Sequence, residues 1–181
     1  MIIIFGPAGA GKSMQGQMLA ARQGWRWLSA GQLLRDTHDP ELIREMQTGQ
    51  LVAHSKIDAI MGEAIARAAN INKVILDGFP RALEQAEWLI ASQPQHGRSI
   101  DLVIVLSVPK KELMKRLEVR GRVDDVADAI DERFGIYKQE TDPVLDYFTH
   151  QGIRIVHVDG TGSVGQVHDR IMEEVVACKL A

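Results

Sequence analysis

The 181-residue sequence contains one cysteine, Cys178, so it cannot form an internal disulfide or an all-cysteine zinc site. Aromatic residues make up only 5% of the chain, and they form no evident stacking platform for single-stranded nucleic acid. The longest strongly apolar run, Leu102 to Leu106, is too short to cross a bilayer. The apolar run at the N-terminus is too short, and carries too little positive charge, for a signal peptide. We therefore expect a cytoplasmic monomer that binds neither nucleic acid nor membrane.

Charge of neither sign dominates the chain. There are 21 basic and 24 acidic residues, a net charge of −3, which offers no strong field for polyanions. Arginine outnumbers lysine by 13 to 8, and the positions of those arginines matter below. With 45% apolar and 25% charged residues, the composition is that of an ordinary globular domain, here spanning residues 1–181.

Short apolar runs alternate with helical patterns along the chain. Runs at 2–5, 25–28, 74–76, 102–106 and 153–158 predict about five strands, and the intervening stretches predict helices at 12–23, 57–69, 81–91, 110–120, 127–150 and 164–179. This alternation is typical of a doubly wound, three-layer α/β fold with a parallel sheet. Two polar stretches interrupt it, and we interpret them as small mobile inserts at residues 29–52 and 120–131, over the edge where such sheets bind ligands.

The segment Gly6-Pro7-Ala8-Gly9-Ala10-Gly11-Lys12-Ser13 matches G-x-x-x-x-G-K-[ST] between a predicted strand and a predicted helix. Its backbone N–H groups can surround phosphate oxygens, with the partial positive charge of the helix N-terminus behind them. Lys12 can reach the β and γ phosphates, and the Ser13 hydroxyl can ligate Mg²⁺. The motif predicts a nucleoside triphosphate site. The segment Asn72-Lys73-Val74-Ile75 begins like the guanine-specific motif Asn-Lys-x-Asp but lacks its aspartate, so it does not indicate a guanine site.

A second motif, Asp77-Gly78-Phe79-Pro80-Arg81, follows the buried run Val74-Ile75-Leu76. An aspartate at the end of such a strand can hold Mg²⁺ or its waters, although capping of the next helix is the simpler alternative. The Gly and Pro favour a stiff turn, and Arg81 then offers a bidentate fork for phosphate.

These two motifs and several further segments resemble the adenylate kinase family of nucleoside monophosphate kinases. The further segments are Ser29-Ala30-Gly31-Gln32-Leu33-Leu34-Arg35, Gln85, Gly121-Arg122-Val123-Asp124-Asp125, Glu132-Arg133-Phe134 and Asp159-Gly160-Thr161-Gly162. The resemblance covers essentially the whole chain. It implies a transferase of nucleotide biosynthesis that moves the γ-phosphoryl of ATP reversibly to a nucleoside monophosphate with Mg²⁺ as cofactor and no zinc.

The resemblance also implies a role for each matching residue. The catalytic cations would be Lys12, Arg81, Arg120, Arg122 and Arg133. The ATP site would comprise Gly9, Ala10, Gly11, Lys12, Ser13, Met14, Arg116, Arg120 and Gly162. The monophosphate site would comprise Ala30, Gly31, Arg35, Gln50, Leu51, Val52, Gly78, Phe79, Pro80, Arg81, Gln85, Arg122 and Arg133. Magnesium would be held by Ser13 and Asp77, partly through water and phosphate oxygens.

The identity of the acceptor base is less sharply indicated. Ala30 stands where adenylate kinases commonly have threonine and where their pyrimidine-directed relatives often have alanine, whereas Gln85 is the adenine-type residue. We favour AMP, because a side chain that hydrogen-bonds the base edge discriminates more than one lost hydroxyl. UMP or CMP remains the alternative. A nucleotide-binding regulatory protein that has lost transfer is the alternative from another class, against which the complete arginine set argues.

Overall fold

A computed structural model of the chain describes residues 1–47, 54–120 and 127–181. Its strands are β1 (Ile2–Phe5), β2 (Arg26–Ser29), β3 (Val74–Asp77), β4 (Leu102–Ser107) and β5 (Ile155–Asp159). Its helices are α1 (Lys12–Gln23), α2 (Ala30–Asp36), α3 (Pro40–Gln47), α4 (His54–Arg67), α5 (Leu83–His96), α6 (Lys110–Arg120), α7 (Ala127–His150) and α8 (Val164–Ala177). The predicted α/β class is confirmed.

The strands form one parallel sheet in the order β2-β3-β1-β4-β5. Every residue of β1 and β3 is buried, which is why these strands are continuous apolar runs rather than alternating ones. Strand β1 lies in the centre, with Ile4 beside Asp77 of β3 and Phe5 beside Val105 of β4. The chain therefore winds outward from β1 in both directions, and ligands bind such sheets at this switch point.

Helices cover both faces of the sheet, and alternate strand residues point to opposite faces. Ile3 and Phe5 lie in one apolar cluster, which includes residues of α4, α5 and α7, whereas Ile2 and Ile4 lie in a second cluster with residues of α1, α6 and α8. This arrangement is the predicted three-layer fold.

One close contact fixes how α1 packs on strand β2. A Cβ placed at Gly16 of α1 would lie 2.6 Å from Cδ1 of Trp27, which is less than real side chains tolerate. The absence of a side chain at residue 16 therefore lets the indole lie directly on the helix.

The boundaries of helix α5 differ from the predicted ones for local reasons. Helix α5 begins at Leu83 rather than at residue 81, because Ala82 has extended backbone and serves as the N-cap. It also continues beyond residue 91 through Pro94, and Gly97 ends it in the left-handed region at φ +60°. Helix α4 begins at His54 instead of residue 57.

The predicted first insert contains the short helical pieces expected of it. Helices α2 and α3 are separated at Asp39, whose carboxylate accepts the backbone N–H of Glu41 at 2.9 Å and so caps α3. The remainder of this insert at 48–52, and residues 121–126 of the second insert, lie outside the described residues.

Candidate active site

The carboxyl ends of all five strands bring the sequence motifs to one edge of the sheet. The phosphate loop follows β1, the segment from Ser29 to Arg35 follows β2, the Asp77–Arg81 turn follows β3, α6 follows β4, and the segment from Asp159 to Ser163 follows β5. Strand register places Ser29 beside Asp77 and Ser107 beside Asp159. Motifs that are far apart in the sequence thus share one surface.

The phosphate loop is held in a conformation that glycine permits. Gly9 has φ +83° and Gly11 has φ +96°, both in the left-handed region. A Cβ on Gly9 would also lie 3.1 Å from Cγ of Leu117 in α6. The ammonium group of Lys12 donates to the carbonyl oxygens of Gly6 at 2.6 Å and Pro7 at 3.0 Å, so this cation closes the loop on itself.

Ser13 and Asp77 meet across the sheet edge. The hydroxyl of Ser13 donates to Oδ2 of Asp77 at 2.6 Å, although 64 residues separate them, and Asp77 is only 3% exposed. A hydroxyl and a carboxylate are hard oxygen donors of the kind Mg²⁺ takes, and Mg²⁺ commonly uses few protein ligands because water and substrate phosphates supply the others. The pair therefore fits magnesium. Within the described ranges, no three His, Cys, Asp or Glu side chains are grouped to hold a metal by themselves.

The turn after β3 organises Arg81 and Gln85. Gly78 has φ +73°, and Nε of Arg81 donates to the Gly78 carbonyl oxygen at 3.1 Å, which folds the exposed guanidinium back over the glycine. Gln85 is buried, and its Oε1 accepts the backbone N–H of Arg81 at 2.7 Å and of Ala82 at 3.4 Å. The backbone of Arg81 is therefore held by the side chain that we expect to contact the acceptor base. Phe79 and Pro80, which precede Arg81 in the turn, are buried.

The segment after β2 presents a second exposed arginine. Ser29 caps α2 by accepting the N–H of Gln32 at 3.4 Å, which fixes where the helix starts at the sheet edge. Ala30 is buried, whereas Arg35 is exposed and donates to Oε1 of Gln32 at 3.0 Å. A Cβ on Gly31 would lie 3.5 Å from a terminal nitrogen of Arg35, so the guanidinium lies back along its own helix turn.

Arg116 connects α6 to the segment after β5. Its Nε donates to Oε1 of Glu112 at 3.0 Å, and its Nη2 donates to the carbonyl oxygen of Gly160 at 3.1 Å. The Gly160 N–H in turn donates to the Ser107 carbonyl oxygen at 2.8 Å. These bonds hold the segment that contains Gly162 beside the end of β4.

The segment from Asp159 to Ser163 is also braced internally. Thr161 donates its backbone N–H and its hydroxyl to the Asp159 carboxylate, both at 2.9 Å, and these bonds lower the pKa of that carboxyl. Arg170 donates to the carbonyl oxygens of Asp159 and Thr161, both at 2.8 Å. The backbone around Gly162 is therefore held by hydrogen bonds within this segment and from Arg170.

Several of the predicted site residues cannot be placed. Gln50, Leu51, Val52 and Arg122 lie outside the described residues, and so do Asp124 and Asp125. For Arg120 at the end of α6 and Arg133 within α7, only the helical backbone is described. Met14, which the resemblance places in the ATP site, has a side chain that is 52% exposed.

Two residues near the site were not singled out from the sequence. Gln15 and His168 are buried and contact each other. A signal for His168 exists in hindsight, because it falls in the apolar series Val164, Val167, Ile171 and Val175 and so on the buried stripe of α8. Nothing in the sequence pairs it with Gln15, which is 153 positions away.

Comparison with known proteins agrees with this geometry. The family model described as adenylate kinase matches residues 4–153. The chain is 35% identical over 184 residues to an adenylate kinase of Porphyromonas gingivalis, covering 94% of this chain and 92% of that protein. It is 37% identical to one of a Mycobacterium species (95% and 97% covered) and 36% identical to one of Thermus thermophilus (94% and 94% covered).

Proposed function

The chain belongs to the adenylate kinase family, and from that membership we propose that it is the enzyme that converts ATP and AMP to two ADP. An oxygen of the AMP phosphate forms a bond to the γ-phosphorus of ATP, while the bond between that phosphorus and the β,γ-bridging oxygen breaks and ADP leaves. The observation that carries the proposal is the meeting of the phosphate loop with Asp77 at the sheet edge where Arg81 also emerges.

We propose that catalysis consists of alignment and charge neutralisation. The attacking phosphate is already an anion, so the reaction needs no general base, but two highly charged groups must come within bonding distance. Backbone N–H groups of Gly9 to Ser13, with Lys12, would hold the ATP phosphates. We infer that Ser13 and Asp77 hold magnesium, partly through water and phosphate oxygens. When bound, the ion neutralises charge on the β and γ phosphates.

On the ATP side, Arg116 and the Gly162 backbone would contact the adenine ring. Support comes from the bond between Arg116 and Gly160, which fixes the side chain beside that segment. Met14 contributes backbone to the same site in this proposal.

On the acceptor side, Arg35 and Arg81 would grip the AMP phosphate, because planar guanidinium forks match phosphate oxygens better than ammonium groups do. Gln85 would hydrogen-bond the base, and its bond to the backbone N–H of Arg81 supports a fixed position of this amide beside the acceptor site. Ala30, Gly31, Gly78, Phe79 and Pro80 would line this site.

The predicted site residues that lie outside the described ranges, or for which only the backbone is described, keep their expected roles as part of the proposal. Arg120, Arg122 and Arg133 would complete the cations around the transferring phosphoryl, and Gln50, Leu51 and Val52 would lie against the acceptor base. We also propose that the inserts 29–52 and 120–131 move over a rigid core within one domain, and that the protein is a cytoplasmic monomer. None of the helices in the described parts of the chain has the length and hydropathy needed to cross a bilayer.

A coupled assay of the purified protein tests the proposal. ADP formation is measured with ATP and Mg²⁺ and with AMP, GMP, CMP, UMP or dTMP as acceptor, side by side. We expect AMP to give the highest kcat/KM, by about tenfold or more, because a site built to hydrogen-bond one base rejects others. Higher values for UMP or CMP would move the chain to pyrimidine monophosphates. ATP binding without transfer to any acceptor would instead support the regulatory alternative.

A further inference from the structure

Helices α1 and α8 are joined by a buried polar contact behind the phosphate loop. Gln15 lies two residues after Ser13, and its Nε2 donates to the Val164 carbonyl oxygen at 2.9 Å. Its Oε1 lies 3.1 Å from Nδ1 of His168. Val164 and His168 are one turn apart on α8, so a single amide spans both. Gln15 is 3% exposed and His168 is fully buried, and this contact is therefore shielded from water.

The Val164 carbonyl determines where the protons lie. A carbonyl oxygen only accepts, so the amide nitrogen of Gln15 must face Val164 and the amide oxygen must face the imidazole. His168 consequently carries its proton on Nδ1 and donates it to Oε1 of Gln15. The other ring nitrogen, Nε2, then has a lone pair and no hydrogen. It is buried without a hydrogen-bond partner among the residues that the structure describes.

This arrangement requires a neutral ring. A second proton would place a buried N–H group at Nε2, where the described structure offers no acceptor. The neighbouring residues of α8, Val167 and Ile171, belong to an apolar cluster. Burial, with the positive charge of Arg22 on α1, lowers the pKa of His168, while Asp169 on α8 acts in the opposite direction. From strand β5, the side chains in this cluster are the apolar Val156 and Val158.

We propose that His168 is a positioning residue for the ATP site, acting through Gln15. Gln15 belongs to the helix that begins at Lys12, and Val164 directly follows the Asp159–Ser163 segment. The contact therefore sets the separation between the phosphate loop and the backbone proposed to receive adenine. This inference rests on the proposed function of those two segments. His168 itself touches no substrate in it.

Two substitutions at the same position separate positioning from simple packing. In His168→Asn the amide nitrogen can take the place of Nδ1 and still donate to Gln15, whereas His168→Gln carries its amide near the place of Nε2 and loses that donor. We expect His168→Gln to raise the Kd for Mg-ATP, measured by titration calorimetry, and the KM for ATP about fivefold, the usual worth of one hydrogen bond. The KM for AMP and kcat should stay within about twofold of wild type, because the acceptor site is distant from this contact and distant sites act independently. His168→Asn should keep all of these values within the same range.

A double-mutant cycle with Gln15→Leu tests whether the two residues act as one unit. Because they share one contact, the loss of ATP affinity in the double variant should not exceed that of the more damaging single variant. Should His168→Gln prove unfolded in a thermal melt, Gln15→Leu replaces it. This variant removes the same contact from α1 together with the bond to Val164, so it should produce an ATP-selective loss at least as large.

The pH profile provides a readout that a packing role would not change. Because the pKa of His168 is lowered from its ordinary value of about 6.5, the ring gains a proton only at lower pH. As the pH falls through that lowered value, the Kd for Mg-ATP should rise more in wild type than in His168→Asn, because only the histidine can gain a proton. Equal losses in His168→Asn and His168→Gln, an equal rise in the KM for AMP, additive single effects, or parallel pH profiles would each overturn the proposal. Absence of ADP formation in wild type would refute the proposed function instead, and the ATP-binding comparison would still decide this inference.

Discussion

The ATP half and the acceptor half of the sheet edge are held in different ways. Next to the ATP half (residues 6–13, Arg116 and 159–163), two side chains bond to the backbone of segments distant in the sequence: Arg116 to Gly160, and Gln15 of the helix that follows the loop to Val164. In the acceptor half (residues 29–35 and 77–85), Arg35 and Arg81 are exposed, and their described side-chain bonds go to groups three residues away. The proposed ATP half is preorganised by the fold, whereas the two exposed arginines of the proposed acceptor half keep the freedom to rearrange around a phosphate.

The largest expected effect comes from the acceptor half. Arg81→Ala should lower kcat by about a thousandfold, the magnitude typical of arginines that stabilise a transferring phosphoryl group. The Kd for Mg-ATP should stay within about twofold, because distant sites act independently and Arg81 makes no described contact with the ATP half. Steady-state kinetics and calorimetry measure the two quantities. Arg67→Ala is the matched control, because this exposed arginine pairs with Glu63 on its own helix. Equal loss of ATP binding would mean that the two halves are not separable in this way.

The next effect tests the packing of α1, the helix that follows the phosphate loop of the ATP half, on strand β2. Gly16→Ala would place a Cβ 2.6 Å from Cδ1 of Trp27, and overpacking of this kind costs about 1–3 kcal/mol of unfolding free energy. Gly165→Ala in α8 is the control, since its Cβ would meet nothing within 4 Å. This substitution should stabilise the protein by about 0.5–1 kcal/mol. Urea unfolding measures both. Adding Trp27→Leu to Gly16→Ala should recover most of the loss, and no recovery would contradict the assigned contact.

A smaller effect separates two roles of Gln85 in the acceptor half. Gln85→Glu keeps oxygens that can accept the N–H groups of Arg81 and Ala82 but removes the amide donor available to a base. We expect it to raise the KM for AMP about tenfold, the worth of one good hydrogen bond, with a modest change in melting temperature. Gln85→Leu removes both functions, so it should also destabilise the protein by about 1 kcal/mol through the lost cap. If the KM for AMP is unchanged in Gln85→Glu, the proposed contact with the base is wrong.

The smallest effect lies at the opposite end of the sheet and calibrates the other three. Asp101 accepts bonds from the Met1 ammonium group at 2.8 Å and from Lys73 at 3.1 Å. Burial alone would raise its pKa, but these bonds and charges outweigh it and lower the pKa of Asp101 below 3.8. Its contribution to stability is therefore present above pH 3.8 and is lost as the pH falls through the lowered value.

Below about pH 4, the unfolding free energy of Asp101→Asn should fall less than that of wild type. The difference between the two should be less than about 1 kcal/mol, because the carboxyl is partly solvated. Urea unfolding across the acid range and at neutral pH measures this. The KM values for ATP and AMP at neutral pH should change equally little, and a selective change in either would show that the effects assigned to the two halves are not local.

The parts of the molecule that were predictable are those with a local physical cause. Strands β1, β3 and β4 are buried on both faces and so had to be continuous apolar runs, and the phosphate loop is a contiguous motif whose glycines the backbone requires. The first turn of α5 was mispredicted because its start depends on Gln85 accepting from the backbone before it. The contact between Gln15 and His168 joins residues that only the packing of α1 on α8 brings together, and no local pattern encodes it.

The position of the Lys12 ammonium group has a kinetic consequence. Because it already donates to two carbonyl oxygens of its own loop, a phosphate that arrives must compete with those partners, and the loop recovers them when the phosphate leaves. In the proposed mechanism, this exchange would lower the net affinity of the loop for phosphate and would return the cation to protein oxygens as ADP leaves. Turnover in a reversible reaction depends on such release as much as on capture.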